Sequence, residues 1–276
     1  MMVKHLGHTD FNTIMASFLS AFENYFVKMP TDYNFYKQRW KAAKVDFNLS
    51  YGMFDGDELV GFIIHAIDDR HGERIAFNTG TGVIPKYRGQ KIVKSIYDYA
   101  ISDLKRNGIT KSVLEVIIEN EKAIKAYEGV GFKICKTFSC FGGELIAGES
   151  QVEVQKIAYN EVSWEQIPNQ DKYSWDFHYR CLKDGNSNYY NVYSNSILES
   201  FFSINSENGT INQLEVLNNQ NGNWERLLQA IQSISTQVRI INVDDSLVSK
   251  RLAIENAGLK NTVNQYEMEL QLGNES

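Results

Sequence analysis

The amino-acid sequence predicts an α+β fold that occurs twice in the chain. Near the N-terminus, apolar residues recur at every third or fourth position, as on one face of a helix. The pattern then changes to alternating strands around the hairpin signal Asp55–Gly56, followed by strand, helix, strand, helix and strand. Residues 114–132 also match residues 241–259 without a gap, which favours an internal duplication. Two unrelated α+β domains with the same element order remain the alternative.

The composition excludes several classes of protein. The 276 residues are 43% apolar and 12% aromatic, so each half of the chain can form a hydrophobic core. A net charge of −6 argues against nucleic-acid binding, which normally needs a basic surface. The three cysteines show no pairing pattern and indicate a reducing compartment. Because no signal peptide or membrane-spanning run is present, we expect a cytoplasmic protein without a membrane partner.

The first half contains predicted helices over residues 9–28, about 31–40, about 90–107, and from about 121. Its predicted strands cover residues 50–54, 58–65, 75–83 and 113–118 and begin again at 132, with a further turn at His71–Gly72. The stretch 142–150 is rich in glycine and has no periodic pattern, so we place the domain boundary there. The two domains are therefore expected over residues 1–143 and 150–276.

The second half repeats this order of elements. Its predicted strands cover residues 189–193, 197–204, 210–216, 238–243 and 266–270, and its helices cover 223–234 and 246–256. The hairpin signal Asn208–Gly209 separates the second and third of these strands. The repetition supports a second copy of the first fold.

The connection after the third strand has the features of an anion-binding site. A strand ends at Val83, Pro85 prevents further pairing, Arg88–Gly89 forms a tight turn, and a helix is predicted to begin at about Gln90. Main-chain N–H groups at a helix N-terminus have no partner within the helix, and the helix dipole favours negative charge there. A diphosphate fits this environment, and Arg88 or Lys91 would add positive charge.

Two motifs stand in order, about a helix and a strand apart. The first is Val83-x-Pro85-x-x-Arg88-Gly89, and the second is Asn120-x-x-Ala123-Ile124-x-x-Tyr127-x-x-x-Gly131-Phe132. Together they resemble the GNAT superfamily of acetyl-CoA-dependent N-acetyltransferases over most of residues 1–141. The resemblance implies tandem GNAT-like folds, each with a central mixed, mostly antiparallel sheet flanked by helices. It also implies an acyltransferase that moves an acetyl group from acetyl-CoA to a primary amine of a small molecule or peptide.

The resemblance also implies roles for individual residues. Tyr127 holds the position of the family's general acid and would protonate or hydrogen-bond the leaving thiolate. The residues implied to bind acetyl-CoA are Val83, Ile84, Pro85, Arg88, Gly89, Gln90, Lys91, Ile92, Val93, Lys94 and Asn120. Asn120 is also predicted to cap the helix that begins at about residue 121. Backbone groups near Val83 and Ile84 would contact the pantetheine arm, and an N–H there would polarise the thioester. Lys91 and Val93 depart from the pattern, because the family usually has small residues at these positions.

The general base is left open by the sequence. The strand over 75–83 has no Asp or Glu, and the candidates are Glu115, His65, Asp68, Asp69 or a water relay. No metal is expected, since His5 and His8 lack a third ligand. The aromatic residues that could line an acceptor cleft, although core packing would explain most of them, are Tyr25, Phe26, Tyr33, Phe35, Tyr36 and Trp40.

The second domain lacks the residues that the chemistry needs. In the gapless match Ile254 stands opposite Tyr127, and Val216-Leu217-Asn218 replaces Val83-Ile84-Pro85. No basic residue follows Asn221–Gly222 before Arg226. We therefore expect a degenerate, non-catalytic domain that pairs with the first as a pseudo-dimer, in a monomer or a homodimer. The alternatives to an enzyme are a non-catalytic acyl-CoA sensor or interaction module, favoured by Lys91, Val93 and the missing base, and an unrelated protein that binds a nucleotide phosphate.

Overall fold

A computed structural model describes residues 1–23, 25–70, 72–148, 152–218 and 221–273. The helices are α1 (Phe11–Ala21), α2 (Tyr33–Ala42), α3 (Ile92–Arg106), α4 (Glu121–Glu128), α5 (Tyr179–Leu182), α6 (Asn223–Ile234) and α7 (Val248–Asn256). The strands are β1 (Met2–His5), β2 (Tyr51–Asp55), β3 (Glu58–Arg70), β4 (Glu73–Val83), β5 (Lys111–Ile117), β6 (Lys133–Glu144), β7 (Glu153–Ile157), β8 (Asn188–Ser194), β9 (Ile197–Asn205), β10 (Thr210–Val216), β11 (Gln237–Asp244), β12 (Lys260–Asn261) and β13 (Gln265–Gln271).

The chain forms two compact units, each built on a mixed, mostly antiparallel sheet. The first contains Met1–Cys135 and the C-terminal segment from Tyr266, and the second contains Lys136–Gln265. In the first unit the strand order is β1-β2-β3-β4-β5-β13, with β1 to β4 antiparallel and β4 parallel to β5. In the second unit the order is β7-β8-β9-β10-β11-β6, with β10 parallel to β11. The two orders correspond strand by strand, as the duplication predicts.

The units are bounded differently from the two predicted sequence ranges. The strand β6 extends into the start of the predicted boundary at residues 142–150, and most of it belongs to the second unit. In turn, β13 from the end of the chain belongs to the first unit. Each unit thus takes its last strand from the other half of the chain. The pattern of apolar residues identifies a strand, but it does not identify the sheet that the strand joins.

Helices cover both faces of the first sheet. Successive residues of a strand point to opposite faces, so apolar side chains on both faces need to be covered. Phe62 and Ile64 of β3 pack with Phe18, Tyr36 and Trp40 of α1 and α2. Ile63, between them, belongs to the opposite cluster, which includes residues of α3, α4 and β13. The sheet therefore has a separate hydrophobic core on each face, and both faces are needed to place the site described below.

Several local elements differ from the predictions. The helix predicted over 9–28 ends at Ala21, and beyond it Tyr25 packs edge-on against Phe22 with ring centroids 4.9 Å apart. The aromatic spacing continues past the helix because these rings pack on one another instead of on a helical face. The strand β1 was not predicted, nor were β7, α5 and the short 3-10 helices between them. Of the predicted turn His71–Gly72, His71 lies outside the described residues.

The second half agrees more closely with its predicted elements. The helix α6 begins and ends where it is predicted, and β8 to β11 agree within one residue at each end. These segments have strong period-two or period-3.6 patterns bounded by glycine and asparagine, which are reliable signals in a single sequence. Across the described ranges, no helix is both long and apolar enough to span a bilayer.

The titration of His65 tests whether this residue is buried in the first unit as the structure shows. It is 0% exposed on β3, its Nδ1 lies 2.8 Å from the carbonyl oxygen of Leu49, and burial lowers its pKa to about 4. Between about pH 6.5 and 4 the unfolded chain therefore binds a proton that the folded protein does not. We expect acidification through this window to reduce the free energy of unfolding by up to about 3 kcal/mol from this residue.

The measurement is urea denaturation at a series of pH values for the wild type and His65→Gln. The variant should lose less stability than the wild type between pH 6.5 and 4, whatever its stability at neutral pH. His8→Gln, which replaces an exposed histidine, should keep the wild-type dependence. An unchanged slope in His65→Gln would contradict the assigned pKa.

Candidate functional site

The site begins where two parallel strands part. Pairing between β4 and β5 runs from Ile75–Lys111 to Asn78–Leu114, whereas β4 continues along β3 as far as the pair Gly61–Val83. The register of β4 against β3 shifts at Thr79, which is an extra residue between Asn78 and Gly80. Such a bulge bends and twists its strand locally. Beyond it, β4 and β5 no longer pair, and a cavity lies between them.

The cavity has a volume of about 300 Å³ and belongs entirely to the first unit. This is within the range of pockets that hold small ligands. Its lining residues come from α1 and α2 and the segment between them, from β4 around the bulge, from β5, and from α4 and its N-terminal cap. They are Phe18, Phe22, Tyr25, Met29, Pro30, Phe35, Tyr36, Arg39, Asn78, Thr79, Gly80, Thr81, Glu115, Val116, Asn120, Ala123 and Tyr127.

Tyr127 lies in the wall of this cavity. It is carried by α4, whose N-terminus is capped by the side chain of Asn120 accepting from the Ala123 N–H at 3.3 Å. The residue is only 8% exposed, and burial raises its pKa to about 12, although hydrogen bonds with Thr81 and Asn78 oppose this shift. The phenol therefore keeps its proton at any physiological pH. The sequence predicted the cap at Asn120, and the structure shows it.

Asn78 organises the polar wall of the cavity, although neither sequence motif includes this residue. Its Nδ2 donates to Thr81 Oγ1 at 2.6 Å and to the Tyr97 hydroxyl at 2.7 Å, while its Oδ1 accepts from the Gly80 N–H at 3.1 Å. The side chain thus replaces strand pairing at the bulge and fixes the groups beside Tyr127. An asparagine inside an apolar strand is unfavourable. This mismatch is the feature of the sequence from which a special role for Asn78 could have been predicted.

The predicted phosphate loop forms a sharp turn that differs in detail from the prediction. Pro85–Tyr87 is a 3-10 turn, and α3 begins at Ile92, two residues after the predicted start at Gln90. Gly89 and Lys91 have φ values of 79° and 58°, in the left-handed region. Lys91 therefore adopts the backbone conformation that glycine allows without steric cost, with its side chain exposed. The first-turn N–H groups of Ile92, Val93 and Lys94 have no partner within the helix.

Two predicted donors at this turn are already engaged. The Arg88 guanidinium donates to the carbonyl oxygens of Val83 at 3.2 Å and Ala21 at 3.0 Å. It therefore joins the end of α1 to the end of β4. The Ile84 N–H donates to the Val60 carbonyl oxygen at 3.0 Å, so this N–H is not the one that would polarise a thioester.

The four base candidates occupy very different places. Glu115 of β5 lines the cavity together with Tyr127. His65 is buried away from the cavity lining, and Asp68 is bonded to Lys44 Nζ at 2.7 Å and to Arg70 Nε at 3.4 Å. Asp69 is exposed, and both aspartates lie within β3. The geometry thus brings one carboxylate into the cavity.

The predicted aromatic residues divide into three groups. Tyr25, Phe35 and Tyr36 line the cavity, and burial raises the pKa of Tyr25, although a hydrogen bond with Asn120 opposes this shift. Tyr33 and Trp40 pack in the core beneath α1 and α2. Phe26 is largely exposed. No group of three or more His, Cys, Asp or Glu side chains is arranged to hold a metal ion within the described ranges.

The second unit repeats the parting of the strands but fills the gap. Its β10 has the same bulge, at Asn212, and pairs with β11 only at Thr210–Arg239 and Ile211–Ile240. By the sequence match, Glu215 and Lys250 replace Gly82 and Ala123. Both are almost fully buried and form an ion pair with each other.

A tyrosine completes the filling of this gap. The Tyr173 hydroxyl lies 2.7 Å from the Glu215 carboxylate and 3.2 Å from both the N and the O of Leu214. Lys250 Nζ lies 3.2 Å from the same hydroxyl. Leu214 corresponds to Thr81 of the first unit, so its main-chain groups are occupied where the first unit has its cavity.

The cation next to the turn of the second unit is also engaged within the unit. Arg226, the first basic residue after it, forms a bidentate pair with Glu199 at 2.9 and 2.7 Å and also donates to the Asn221 carbonyl oxygen at 3.0 Å. Its positive charge is therefore neutralised within the unit. In the described residues of the second unit, side chains therefore fill the gap between the strands, and the first cation after the turn is paired with a carboxylate.

Comparison with known proteins agrees with the fold and the motifs. Residues 13–132 match the model of the acetyltransferase (GNAT) family. A curated relative, N-alpha-acetyltransferase 30 of Schizosaccharomyces pombe, is 26% identical over 101 residues. This alignment covers 36% of the chain and 63% of the relative's length.

Solved structures resemble the whole chain. A tandem GNAT protein from the clavulanic acid biosynthesis pathway matches with a TM-score of 0.69 and 11% identity, over 100% of this chain and 99% of that one. A GCN5-related N-acetyltransferase from Sphaerobacter thermophilus gives a TM-score of 0.68 and 9% identity, over 99% and 96%. Residues 13–132 therefore form a domain of the GNAT acetyltransferase family, an acyltransferase family, within a chain that has the fold of tandem GNAT proteins.

Proposed function

We propose that the protein is an acetyl-CoA-dependent N-acetyltransferase that acetylates a primary amine of a small molecule or peptide, at a single site in its first unit. The observation that carries this proposal is that Tyr127 and Glu115 line one cavity, at the point where β4 and β5 part. The family supports acyl transfer in general, and the curated relative is named for acetylating an α-amino group.

In this proposal the turn after β4 binds the diphosphate of acetyl-CoA. The N–H groups that begin α3 supply donors at the positive end of the helix dipole. Lys91 is exposed at the same turn and adds positive charge. Val83, Ile84, Pro85, Gly89 and Gln90 supply the backbone of the turn, and Arg88 holds it against α1. The pantetheine arm then follows the unpaired edge of β4 toward Tyr127.

The chemical step is a direct attack of the amine on the thioester. The amine nitrogen forms a bond to the carbonyl carbon, the carbon–sulfur bond breaks, and CoA leaves as a thiolate. Tyr127 hydrogen-bonds the sulfur as negative charge develops. Full proton transfer from a phenol with a pKa of about 12 to a thiolate of ordinary pKa near 8.5 would be uphill by about 5 kcal/mol, so we assign hydrogen bonding to Tyr127.

Glu115 is the proposed general base. It is the one candidate among the four that lines the cavity with Tyr127, and a carboxylate can accept the proton that the amine nitrogen loses on acylation. The attacking amine would then lie between Glu115 and the thioester.

Tyr127→Phe tests the proposed role of the phenol. Removing one hydrogen bond to a charged sulfur should lower kcat about 10- to 100-fold, with acetyl-CoA affinity nearly unchanged. Thiol release with a panel of amines measures kcat, and calorimetry measures the affinity. Tyr99→Phe, which removes an exposed hydroxyl of α3, is the matched control. If the wild type binds acetyl-CoA but releases no thiol with any amine, a non-catalytic acyl-CoA-binding module is the better description.

Glu115→Gln tests the proposed base. Loss of general-base catalysis should reduce kcat/KM about 100-fold or more at neutral pH. Glu119→Gln makes the same charge change at an exposed position four residues away and should have little effect. Equal rates for Glu115→Gln and the wild type would mean that water accepts the proton.

The second unit is proposed to be non-catalytic, because its own side chains fill the strand gap and the first cation after its turn is already paired. Calorimetry should therefore find one equivalent of acetyl-CoA per chain. Asn221→Arg, which adds a cation to the turn, should leave this stoichiometry at one. A second equivalent in either protein would contradict a closed second unit.

A further inference from the structure

Tyr36 carries a buried hydroxyl that has no hydrogen-bond partner in the described part of the chain. The residue lies on α2 and is 1% exposed. A buried phenol normally finds a partner, and an unsatisfied one makes folding less favourable. A hydroxyl in this state therefore points to a group that is supplied from outside the protein.

The position of Tyr36 identifies where that group would come from. Within the described residues of the first unit, the buried side-chain atoms without a partner also include Trp40 Nε1, His65 Nε2 and Ser112 Oγ. Tyr36 differs from these three because it lines the cavity that contains Tyr127 and Glu115. Tyr36 thus forms part of the wall of the cavity in which the acceptor amine is proposed to bind.

The ring of Tyr36 is held firmly by its neighbours. Its centroid lies 4.9 Å from that of Phe18, 5.4 Å from that of Trp40 and 5.2 Å from that of Phe35, in tilted or edge-on contacts. Packing on three sides fixes the position of the oxygen and leaves rotation of the O–H bond free. A fixed donor in an apolar wall discriminates strongly between ligands that can and cannot accept a hydrogen bond.

The electrostatics around the hydroxyl favour an oxygen as its partner. Arg39 follows one turn later on α2, and its Nη1 donates to Thr79 Oγ1 at 3.1 Å on the bulge. Burial raises the pKa of Tyr36, and the charge of Arg39 opposes this shift, so the guanidinium acts on the phenol oxygen. A cation near the oxygen orients the O–H away from itself, ready to donate to another atom.

The rest of the cavity restricts the acceptor further. Apolar side chains such as Phe18, Phe22, Met29 and Phe35 form much of its wall, and Glu115 is the one carboxylate among the lining residues. A ligand with several ammonium groups would find too few anionic partners there, and unpaired buried charges are strongly unfavourable. A monoamine with an apolar portion fits better.

We propose that the Tyr36 hydroxyl donates a hydrogen bond to an oxygen of the acceptor, and that the acceptor is an apolar monoamine with a carbonyl oxygen close to its amine. This inference rests on the proposed acetyltransferase function. It makes Tyr36 a residue that determines specificity, since the hydrogen bond distinguishes an aminoacyl compound from a simple alkylamine of the same shape.

The test compares two acceptors and two variants. Leucinamide and isoamylamine share the same branched apolar chain and amine, but only leucinamide has a carboxamide. Tyr36→Phe should lower kcat/KM for leucinamide roughly tenfold and leave that for isoamylamine nearly unchanged. Tyr33→Phe, on the same helix but outside the cavity lining, should change neither. Equal losses for both amines in Tyr36→Phe would overturn the inference and leave the acetyltransferase proposal intact.

Thermal denaturation gives a readout that does not depend on turnover. Tyr36→Phe removes an unpaired hydroxyl and fills the same space, so its Tm without ligand should equal or exceed that of the wild type. A clearly lower Tm would mean that the hydroxyl is bonded within the protein, against the inference. If no amine is acetylated, leucinamide should still raise the Tm of the wild type more than that of Tyr36→Phe, and equal shifts would refute the role of Tyr36.

Discussion

The parting of β4 from β5 is the constraint on which the rest of the site depends. Parallel strands separate after Asn78–Leu114 because Thr79 adds a residue to β4 and bends it. Main-chain groups beyond this point lose their partners on one side, and buried groups of this kind must be satisfied in some other way. The Asn78 side chain satisfies part of this need within the protein. An extended ligand that pairs with the edge of β4 would satisfy more of it.

The second unit shows the other solution to the same constraint. Its strands part at an equivalent bulge, but Glu215, Lys250 and Tyr173 fill the opening, and the Tyr173 hydroxyl bonds to the main chain of β10 at Leu214. Burial lowers the pKa of Lys250, while the charge of Glu215 opposes that shift. Removing either Glu215 or Lys250 would leave the other as an uncompensated buried charge. The two residues therefore depend on each other to remain in the gap. One fold therefore yields an open gap or a closed one, depending on a few side chains.

The charge available at the phosphate turn is smaller than its count of basic residues indicates. Arg88 is bonded to two carbonyl oxygens, and Lys94 pairs with Asp98 at 2.8 Å. In the proposed site, the main-chain donors at the start of α3 would therefore provide the principal attraction for an anion, and these side chains would mainly shape the turn. This explains why an unusual residue such as Lys91 can occupy the turn, since its backbone has the conformation that the turn requires.

The sequence by itself determined the α+β order, most of the elements of the second half, the duplication, the cap at Asn120 and the two motifs around Arg88 and Tyr127. These are local features, which the periodicity of apolar residues and the short spacings within motifs indicate. Only the tertiary structure decided that β6 and β13 join the sheets of opposite halves, because strand pairing depends on contacts distant in sequence. The same holds for the position of Glu115 in the cavity wall, for the bonds of Asn78 and for the unpaired hydroxyl of Tyr36. Each of these depends on which side chains meet across the gap between two strands, and no local pattern contains that information.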